Sequence, residues 1–180
     1  NCTSLTTINI PNSVTLIDSY AFFNCTSLTS LTLTDNVASV ANTAFSGASN
    51  LRVYVPTPKG SAAQAVSTAS NYYVVGDNAF ALRYANNRYE LRAYTGTAAS
   101  VRVPTHVDYI AAGAFMNNAT VTSVTVPATV TGMGNEAFAG CENLTTVTLN
   151  EGLAAISYDA FENCTSLTTI NIPNSVTLID

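Results

Sequence analysis

The feature that most constrains this chain is a 23-residue sequence repeat. A leucine or valine, an alternating apolar pair and an Ala-Phe dipeptide recur at that interval within each half of the 180 residues. The dipeptides are Ala21-Phe22, Ala44-Phe45, Ala114-Phe115, Ala137-Phe138 and Ala160-Phe161. One unit this short cannot bury its apolar face alone, whereas stacked units share a continuous core. The period therefore predicts a solenoid.

The first unit shows how each repeat is expected to fold. Leu5, Ile8 and Ile10 lie on one side of a predicted strand, and the polar residues Thr7 and Asn9 lie on the other. In several units a proline follows the strand, where its missing N–H ends the hydrogen-bond ladder. The Ala-Phe pair then fills the core from the opposite wall.

The repeated sequence resembles the BspA-like leucine-rich repeats, a 23-residue class found on surface proteins of bacteria and some parasitic protists. The segment NCTSLTTINIPNSVTLIDSYAFF is close to that family's consensus, and the resemblance covers residues 1–56 and 98–180. It implies a parallel sheet on the concave face and irregular or short helical structure on the convex face. It also implies a surface location and a binding or adhesive role, without enzyme chemistry.

The period is lost in the middle of the chain. The Ala-rich residues after Thr57-Pro58 predict a capped helix, and Tyr72 to Val75 predict a strand. Alternating apolar residues on both sides of Asn86-Asn87 predict a β-hairpin, because asparagine tolerates the positive φ of a tight turn. A cap that ends one solenoid and a cap that begins the next give two domains, residues 1–76 and 77–180. The predicted fold class is an α/β, mainly β solenoid of leucine-rich repeats with a helix/strand C-cap and a β-hairpin N-cap.

A second, longer period links distant parts of the chain. Residues 1–18 are identical to residues 163–180, whereas neighbouring 23-residue units differ much more. This contrast indicates that a 162-residue block, the offset between the two identical segments, was copied as a whole. We expect the chain to be one such block plus an overlap, taken from a longer tandem array.

Composition excludes several classes of protein. The chain is 47% hydrophobic and only 9% charged, which is incompatible with disorder and far below the roughly 25% charge of an average domain. A net charge of −5 argues against nucleic acid as a partner. No stretch approaches the ~18 to 20 apolar residues of a membrane span, and no nucleotide-binding or catalytic motif occurs. We therefore expect no enzyme activity, no cofactor and no metal site.

The cysteines and the single histidine are expected to have structural roles. Cys2, Cys25, Cys141 and Cys164 occupy one column of the repeat, which favours small, buried, free thiols. Equivalent Cα atoms of stacked strands lie ~4.8 Å apart, but their parallel Cβ vectors suit a disulfide poorly. Disulfides remain an alternative in an extracellular setting. We expect His106, just after a proline, to be a solvated turn residue and not a catalytic base.

Polar residues on the predicted concave face are candidates for ligand binding. These residue types occur there either because they favour an exposed strand or because their hydroxyl and amide groups bind an uncharged ligand such as a glycan. These residues are Thr7, Asn9, Ser30, Thr32, Ser123, Thr125, Thr146, Thr148, Thr169 and Asn171. Asn-x-Thr sequences, which are candidate N-glycosylation sites in a competent host, begin at Asn1, Asn24, Asn118, Asn143 and Asn163.

The basic residues define a third candidate surface. All six lie between residues 52 and 102 with only two acids, and the rest of the chain has nine acids and no base. Six of the nine tyrosines lie there too, and Arg and Tyr are enriched at the centres of interfaces. Either the caps simply need different residues from the coils, or this junction docks an acidic coil of a neighbouring block. The predicted assembly residues are Arg52, Tyr54, Lys59, Arg83, Tyr84, Arg88, Tyr89, Arg92 and Arg102.

Two functional hypotheses follow, and both place the protein at the cell surface or outside the cell. The first is a structural block of an extracellular fibre or surface stalk, in which tandem 162-residue domains associate head to tail and laterally. The second is an adhesin whose concave face binds a host protein or glycan, with tandem blocks giving avidity.

Overall fold

A computed structural model describes residues 1–57, 60–69, 74–75, 79–85 and 88–180. In chain order its elements are β1 (Thr7–Asn9), β2 (Leu16–Ile17), β3 (Ser30–Thr32), β4 (Ser39–Val40), β5 (Arg52–Val55), α1 (Ser61–Ala69), β6 (Val74–Val75), β7 (Phe80–Ala85), β8 (Arg88–Tyr94), β9 (Ser100–Arg102), β10 (Tyr109–Ile110), β11 (Ser123–Val126), β12 (Gly132–Met133), β13 (Thr146–Leu149), β14 (Ala155–Ile156) and β15 (Leu178–Ile179). The chain forms two compact units, unit 1 (Asn1–Tyr84) and unit 2 (Ala85–Asp180). The mainly β solenoid predicted from the period is confirmed.

Successive turns are joined by a parallel sheet, which we call the main sheet. Its strand order is β1-β3-β5-β6 in unit 1 and β9-β11-β13 in unit 2. Partners lie one repeat apart and in register, as at Ile8 and Leu31 or at Val124 and Val147. In β13 exposed threonines alternate with buried apolar residues. One face of the main sheet therefore lines the core and the other faces solvent.

A second parallel sheet, which was not predicted from the sequence, runs through the middle of each repeat. It contains β2 and β4 in unit 1, and β8, β10, β12, β14 and β15 in unit 2. Most of its strands are two residues long, with one apolar side chain in the core, as at Val40 and Ile156. The family resemblance implied a parallel sheet on the concave face and irregular or short helical structure on the convex face. The backbone pairing of these short strands adds a second sheet to that expectation.

Each repeat closes through a tight turn that contains the Ala-Phe pair. Two positions of this turn adopt positive φ and recur from one repeat to the next: Tyr20, Gly113, Glu136 and Asp159 at the first, and Asn24, Gly47, Asn117, Gly140 and Asn163 at the second. Only asparagine and glycine occupy the second position, because the left-handed region costs them least. At Gly140 a Cβ atom would also overlap the side-chain oxygen of Asn117 in the preceding turn.

The phenylalanines of the Ala-Phe pairs stack from turn to turn. In unit 2 the rings of Tyr94, Phe115, Phe138 and Phe161 follow one another with centroid distances of 5.3, 4.6 and 5.3 Å. Unit 1 has the same arrangement for Phe22 and Phe45, at 5.8 Å. Stacked aromatic pairs are favourable beyond the area that they bury, so this column stabilises the repeat register.

Uncharged polar side chains also bond each turn to the one before it. Threonine hydroxyls donate to a carbonyl 23 residues earlier, as from Thr145 Oγ1 to Thr122 O at 2.9 Å. Asparagine amides donate to a carbonyl 24 residues earlier, as from Asn143 Nδ2 to Ala119 O at 2.7 Å. The same bonds recur at Thr29, Thr122, Thr131, Thr165, Thr177, Asn36, Asn50 and Asn150. Short neutral groups suffice for these bonds, which accounts for a surface rich in Thr and Asn.

The elements predicted for the interruption are present. Helix α1 packs against β4 and β5 of unit 1, and its buried residues are Ala62, Ala63, Ala65 and Val66. Strand β6 pairs in parallel with β5, although the predicted strand residues 72 and 73 lie outside the described part. Both strands predicted for the hairpin are formed as β7 and β8, and the intervening Asn86-Asn87 also falls outside it. No helix in the described part of the chain combines the length and apolar character needed to cross a bilayer.

Candidate binding surfaces

The predicted ligand residues of unit 1 come together on the exposed face of the main sheet. Two columns cross this face, one formed by Thr7, Ser30 and Arg52 and the other by Asn9, Thr32 and Tyr54. Four of these side chains are exposed, and Ser30 and Tyr54 are half-buried. Arg52 and Tyr54, which were predicted for assembly, therefore belong to the candidate ligand face.

Unit 2 repeats this arrangement with its own two columns. They contain Ser100, Ser123 and Thr146, and Arg102, Thr125 and Thr148, with Asn171 bridged to Thr148. Thr146, Thr148, Thr169 and Asn171 are exposed, whereas Ser123 and Thr125 are half-buried. An arginine thus begins this polar face at β9, next to Thr125 in the neighbouring strand.

An open groove of about 520 Å³ lies where β9, β11 and β13 end. Three successive turns line it, with Arg102, Val103, Thr105, Thr125, Pro127, Ala128, Asn150 and Glu151. Only Arg102 and Thr125 among them were predicted from the sequence. The one available signal was the absence of the strand-ending proline at Leu149-Asn150, which places polar residues where other turns have proline.

Three polar side chains of the groove have defined hydrogen-bonding states. The Glu151 carboxylate accepts bonds from the backbone N–H groups of Asn174 and Ser175, at 3.1 and 3.0 Å. These bonds lower the pKa of Glu151 by stabilising its charged form. The side-chain amide N–H of Asn150 donates to the carbonyl oxygen of Val126 at 2.7 Å. The side-chain carbonyl oxygen of Asn150 therefore points away from Val126 O. Within the described residues, Arg102 has no carboxylate at ion-pair distance.

The wall of the groove formed by residues 150–152 depends on a glycine. Gly152 has a φ of 119°, and a Cβ atom there would overlap the carbonyl oxygen of Ala128 in the neighbouring turn. The backbone can therefore approach this closely only without a side chain. The close approach places Asn150 and Glu151 beside Pro127 and Ala128.

The arginines of β8 form a cluster with one acid and one tyrosine. Arg88 and Arg92 bond to Glu90 at 2.8 and 3.5 Å, and the Arg88 guanidinium lies 4.1 Å from the centre of the Tyr109 ring. Both arginines are half-buried. Glu90, which is 8% exposed, offsets part of their positive charge.

Several other predicted assembly residues occupy different environments. Tyr89 is completely buried, and its side chain lies in the core of unit 2. The prediction that it belongs to an assembly surface is therefore wrong. Arg83 and Tyr84 of unit 1 are half-buried, and Arg102 of unit 2 is exposed. Lys59 lies outside the described residues.

All four cysteines are described, and all four are free thiols. Cys25, Cys141 and Cys164 are buried as predicted, whereas Cys2 is exposed because no further turn covers that side of its own turn in this structure. The thiols of Cys141 and Cys164 contact the carbonyl oxygens of Phe115 and Phe138 at 3.0 and 3.1 Å. Burial raises the pKa of Cys141 to about 11 and raises that of Cys164. Protonated, inaccessible thiols of this kind are poor nucleophiles and poor metal ligands.

His106 lies in a turn, as expected, but it is less solvated than we expected. It is half-buried, and its ring meets that of Tyr89 edge to face at 5.8 Å. In the described part of the chain, no group of three or more His, Cys, Asp or Glu side chains is arranged to hold a metal ion.

The candidate glycosylation sites differ in accessibility. Asn1, Asn143 and Asn163 are exposed and Asn24 and Asn118 are half-buried. The Asn24 side chain lies against Gly47 of the next turn. Asn118 Oδ1 caps the backbone N–H groups of Thr120 and Val121, each at 2.9 Å. Asn143 uses its amide nitrogen in a hydrogen bond between turns. Asn1 and Asn163 are therefore the exposed sequon asparagines that make no such bond to the described residues.

Comparison with known proteins agrees with this architecture. A family model described as a BspA type leucine-rich repeat region matches residues 1–73 and 90–180 in six copies. No curated protein matches the chain by sequence.

Solved structures of bacterial leucine-rich repeat proteins are similar to this chain. One from Treponema pallidum is 29% identical with a TM-score of 0.56; the alignment covers 58% of this chain and 52% of that protein. One from Bacteroides capillosus is 28% identical with a TM-score of 0.57, covering 62% and 88% of the two chains. A leucine-rich cell surface protein from Faecalibacterium prausnitzii is 24% identical with a TM-score of 0.53, covering 99% and 50%, and shows the fold alone. The match thus spans about half the length of the treponemal protein.

Proposed function

Because this chain belongs to the BspA-type leucine-rich repeat family, we propose that it is a structural block of an extracellular fibre or surface stalk. In this proposal, 162-residue domains follow one another in tandem, and the boundary between two of them lies between residues 76 and 77. The observation that carries it is the sequence identity of two segments, residues 1–18 and 163–180. The solved relative from Faecalibacterium prausnitzii, which is described as a cell surface protein, supports the location.

The identical segments use opposite edges in the two units. In unit 1, Ile17 pairs with Val40 of the following turn. In unit 2, the equivalent Ile179 pairs with Ile156 of the preceding turn. Since one sequence pairs on either edge, a single copy can join the last turns of one block to the first turns of the next. Both sheets would then continue across this joint, which lies inside one domain. The caps between residues 57 and 97 would separate that domain from the next.

Lateral contacts in such a fibre are assigned to opposite charges. Arg52 and Arg102 are exposed, and the turns of unit 2 carry the exposed acids Glu136 and Glu162. The pKa of Tyr158 is raised by its hydrogen bond to Asp159 and by the charges of the surrounding acids, including these two. An acidic ridge of one block therefore complements the arginines of another, and this attraction weakens as salt rises.

A chain of two successive 162-residue periods tests the continuous joint. We expect electron microscopy to show the turns on the two sides of this joint, residues 90–180 and the following residues equivalent to 19–57, as one rod of stacked turns. Changing Ile179→Lys at the joint should break the rod, because the equivalent Ile17 is only 4% exposed where a following turn pairs with its strand. The matched control Leu178→Lys, at the outward neighbour whose equivalent Leu16 is 53% exposed, should leave it intact. Separate particles for the turns on the two sides of the joint in the unmodified chain would contradict the proposal.

The second candidate function is adhesion through the exposed face of the main sheet. The observation that favours it is the groove of unit 2, which adds a concave site to an otherwise regular polar face. Latex beads that carry the purified chain should bind host cells under this function, with binding that increases with the number of tandem periods. Rods without any cell binding would leave only the structural role. We expect no catalytic activity under either function.

A further inference from the structure

We propose that the groove at the ends of β9, β11 and β13 binds an uncharged saccharide. The inference rests on the adhesive candidate function and deepens it, since it names the site and the class of ligand. The groove belongs wholly to unit 2 and draws on three successive turns. Its volume of about 520 Å³ falls within the range of small-molecule sites.

The lining of the groove offers an apolar surface for the C–H face of a sugar ring. Val103 is buried, Pro127 is half-buried and Ala128 is exposed. Pro127 and Ala128 follow the end of β11 and present apolar surface, whereas Val103, which follows β9, is 3% exposed and offers little to a ligand. A ring that lies across Pro127 and Ala128 would cover apolar surface without leaving a backbone donor or acceptor unpaired.

The polar groups of the groove suit hydroxyl groups, which both donate and accept hydrogen bonds. Arg102 offers donors, and no carboxylate among the described residues engages them as an ion pair. Asn150 is oriented by its bond to Val126 O, which leaves its carbonyl oxygen as an acceptor. Thr125 adds a hydroxyl from the column next to Arg102. Donors and acceptors around an apolar surface match the alternating polar edge and apolar face of a sugar.

The balance of charge favours a neutral ligand. Arg102 is the basic residue that lines the groove and Glu151 is the acidic one, so their formal charges cancel. The backbone N–H groups of the following turn hold both oxygens of Glu151, which fixes the position of the carboxylate. An anionic ligand would meet this fixed negative charge, and a cationic ligand would meet Arg102.

Titration of the full chain with uncharged trisaccharides tests the inference. Maltotriose, cellotriose, triacetylchitotriose and mannotriose serve as probes in saturation-transfer NMR and calorimetry, with sialyllactose as the anionic comparison. At least one neutral probe should bind more tightly than sialyllactose. Arg102→Ala should weaken that binding about tenfold, as expected for a lost bond to a charged donor, and Thr125→Val about threefold. The matched control Thr148→Val removes a hydroxyl from the same column outside the groove and should change binding less than about twofold.

The outcomes separate this site from adhesion in general. Absence of binding by all four neutral probes, preferential binding of sialyllactose, or equal losses for Thr125→Val and Thr148→Val would each overturn the proposal. Cell binding by bead-linked protein is measured in parallel with the same variants. Adhesion without any saccharide binding would remove this site and keep the adhesin function. Saccharide binding without adhesion would keep the site and remove that function.

Discussion

The aromatic column of unit 2 allows a quantitative test of how the fold is stabilised. Phe138 is completely buried, and its ring lies between those of Phe115 and Phe161 at 4.6 and 5.3 Å. Truncation of a buried phenylalanine to alanine costs about 3–5 kcal/mol, through lost burial and the cavity that remains. Because Phe138 has rings on both sides, we expect Phe138→Ala to lie near the top of that range, at about 4–5 kcal/mol. The loss is a large part of the about 5–15 kcal/mol that stabilises a domain.

Phe161→Ala provides the matched comparison in the same column. Phe161 is half-buried and contacts Phe138 on one side. Since full burial of such a side chain is worth about 1.5–3 kcal/mol, we expect a cost of about 1–2 kcal/mol at this position. Urea unfolding followed by circular dichroism measures both variants against the unmodified chain, and a shared m value makes the midpoints comparable. Equal costs at the two positions would refute the reasoning, because stability would then not depend on a ring between two neighbours.

Three further predictions address the turns, the thiols and the groove. Gly152→Ala should cost about 2–4 kcal/mol in urea unfolding, because its Cβ atom would overlap a backbone carbonyl, whereas Gly113→Ala, with space for a Cβ atom, should cost about 1 kcal/mol. Iodoacetamide at pH 8 should label exposed Cys2 quickly and leave Cys141, whose pKa is about 11, unmodified in the folded chain, as read by mass spectrometry. The lowered pKa of Glu151 means that its contribution to stability is present above its unfolded-state pKa and is lost as the pH falls through the lower folded-state value. The free energy of unfolding of Glu151→Gln should therefore fall less at acid pH than that of the unmodified chain. An unchanged dependence on pH would contradict this prediction.

The period was sufficient to predict the main sheet and its core. Its alternating residues, such as Ile8 beside Asn9, distinguish a buried face from an exposed one over several positions. The second sheet could not be predicted in this way, because strands of two residues, such as Leu16–Ile17, are too short to show alternation. Their pairing follows from the stacking of turns, which is a property of the fold and not of one repeat.

The candidate sites were harder to predict, because they depend on which side chains of a cap face inward. Tyrosine is a residue type enriched at interfaces, but Tyr89 follows Arg88 directly in β8. Its side chain therefore points to the opposite face of the strand, where it is buried. The groove depends on three turns and on the close approach at Gly152, none of which is visible within a single repeat. The sequence feature that marks the groove is Asn150 in place of a proline. It indicates a groove only when the positions of the neighbouring turns are known.

The bonds between turns have a mechanical consequence. In each unit a turn is joined to its neighbours through the main sheet, the second sheet and the threonine and asparagine side chains, all at separations of about one repeat. The interfaces between turns therefore lie in series, and a pull along the stack loads each of them equally. The weakest interface yields first and releases a single turn while the others stay folded. Such a solenoid extends in steps under load, and it dissipates a pull gradually where a single cooperative domain would fail at once.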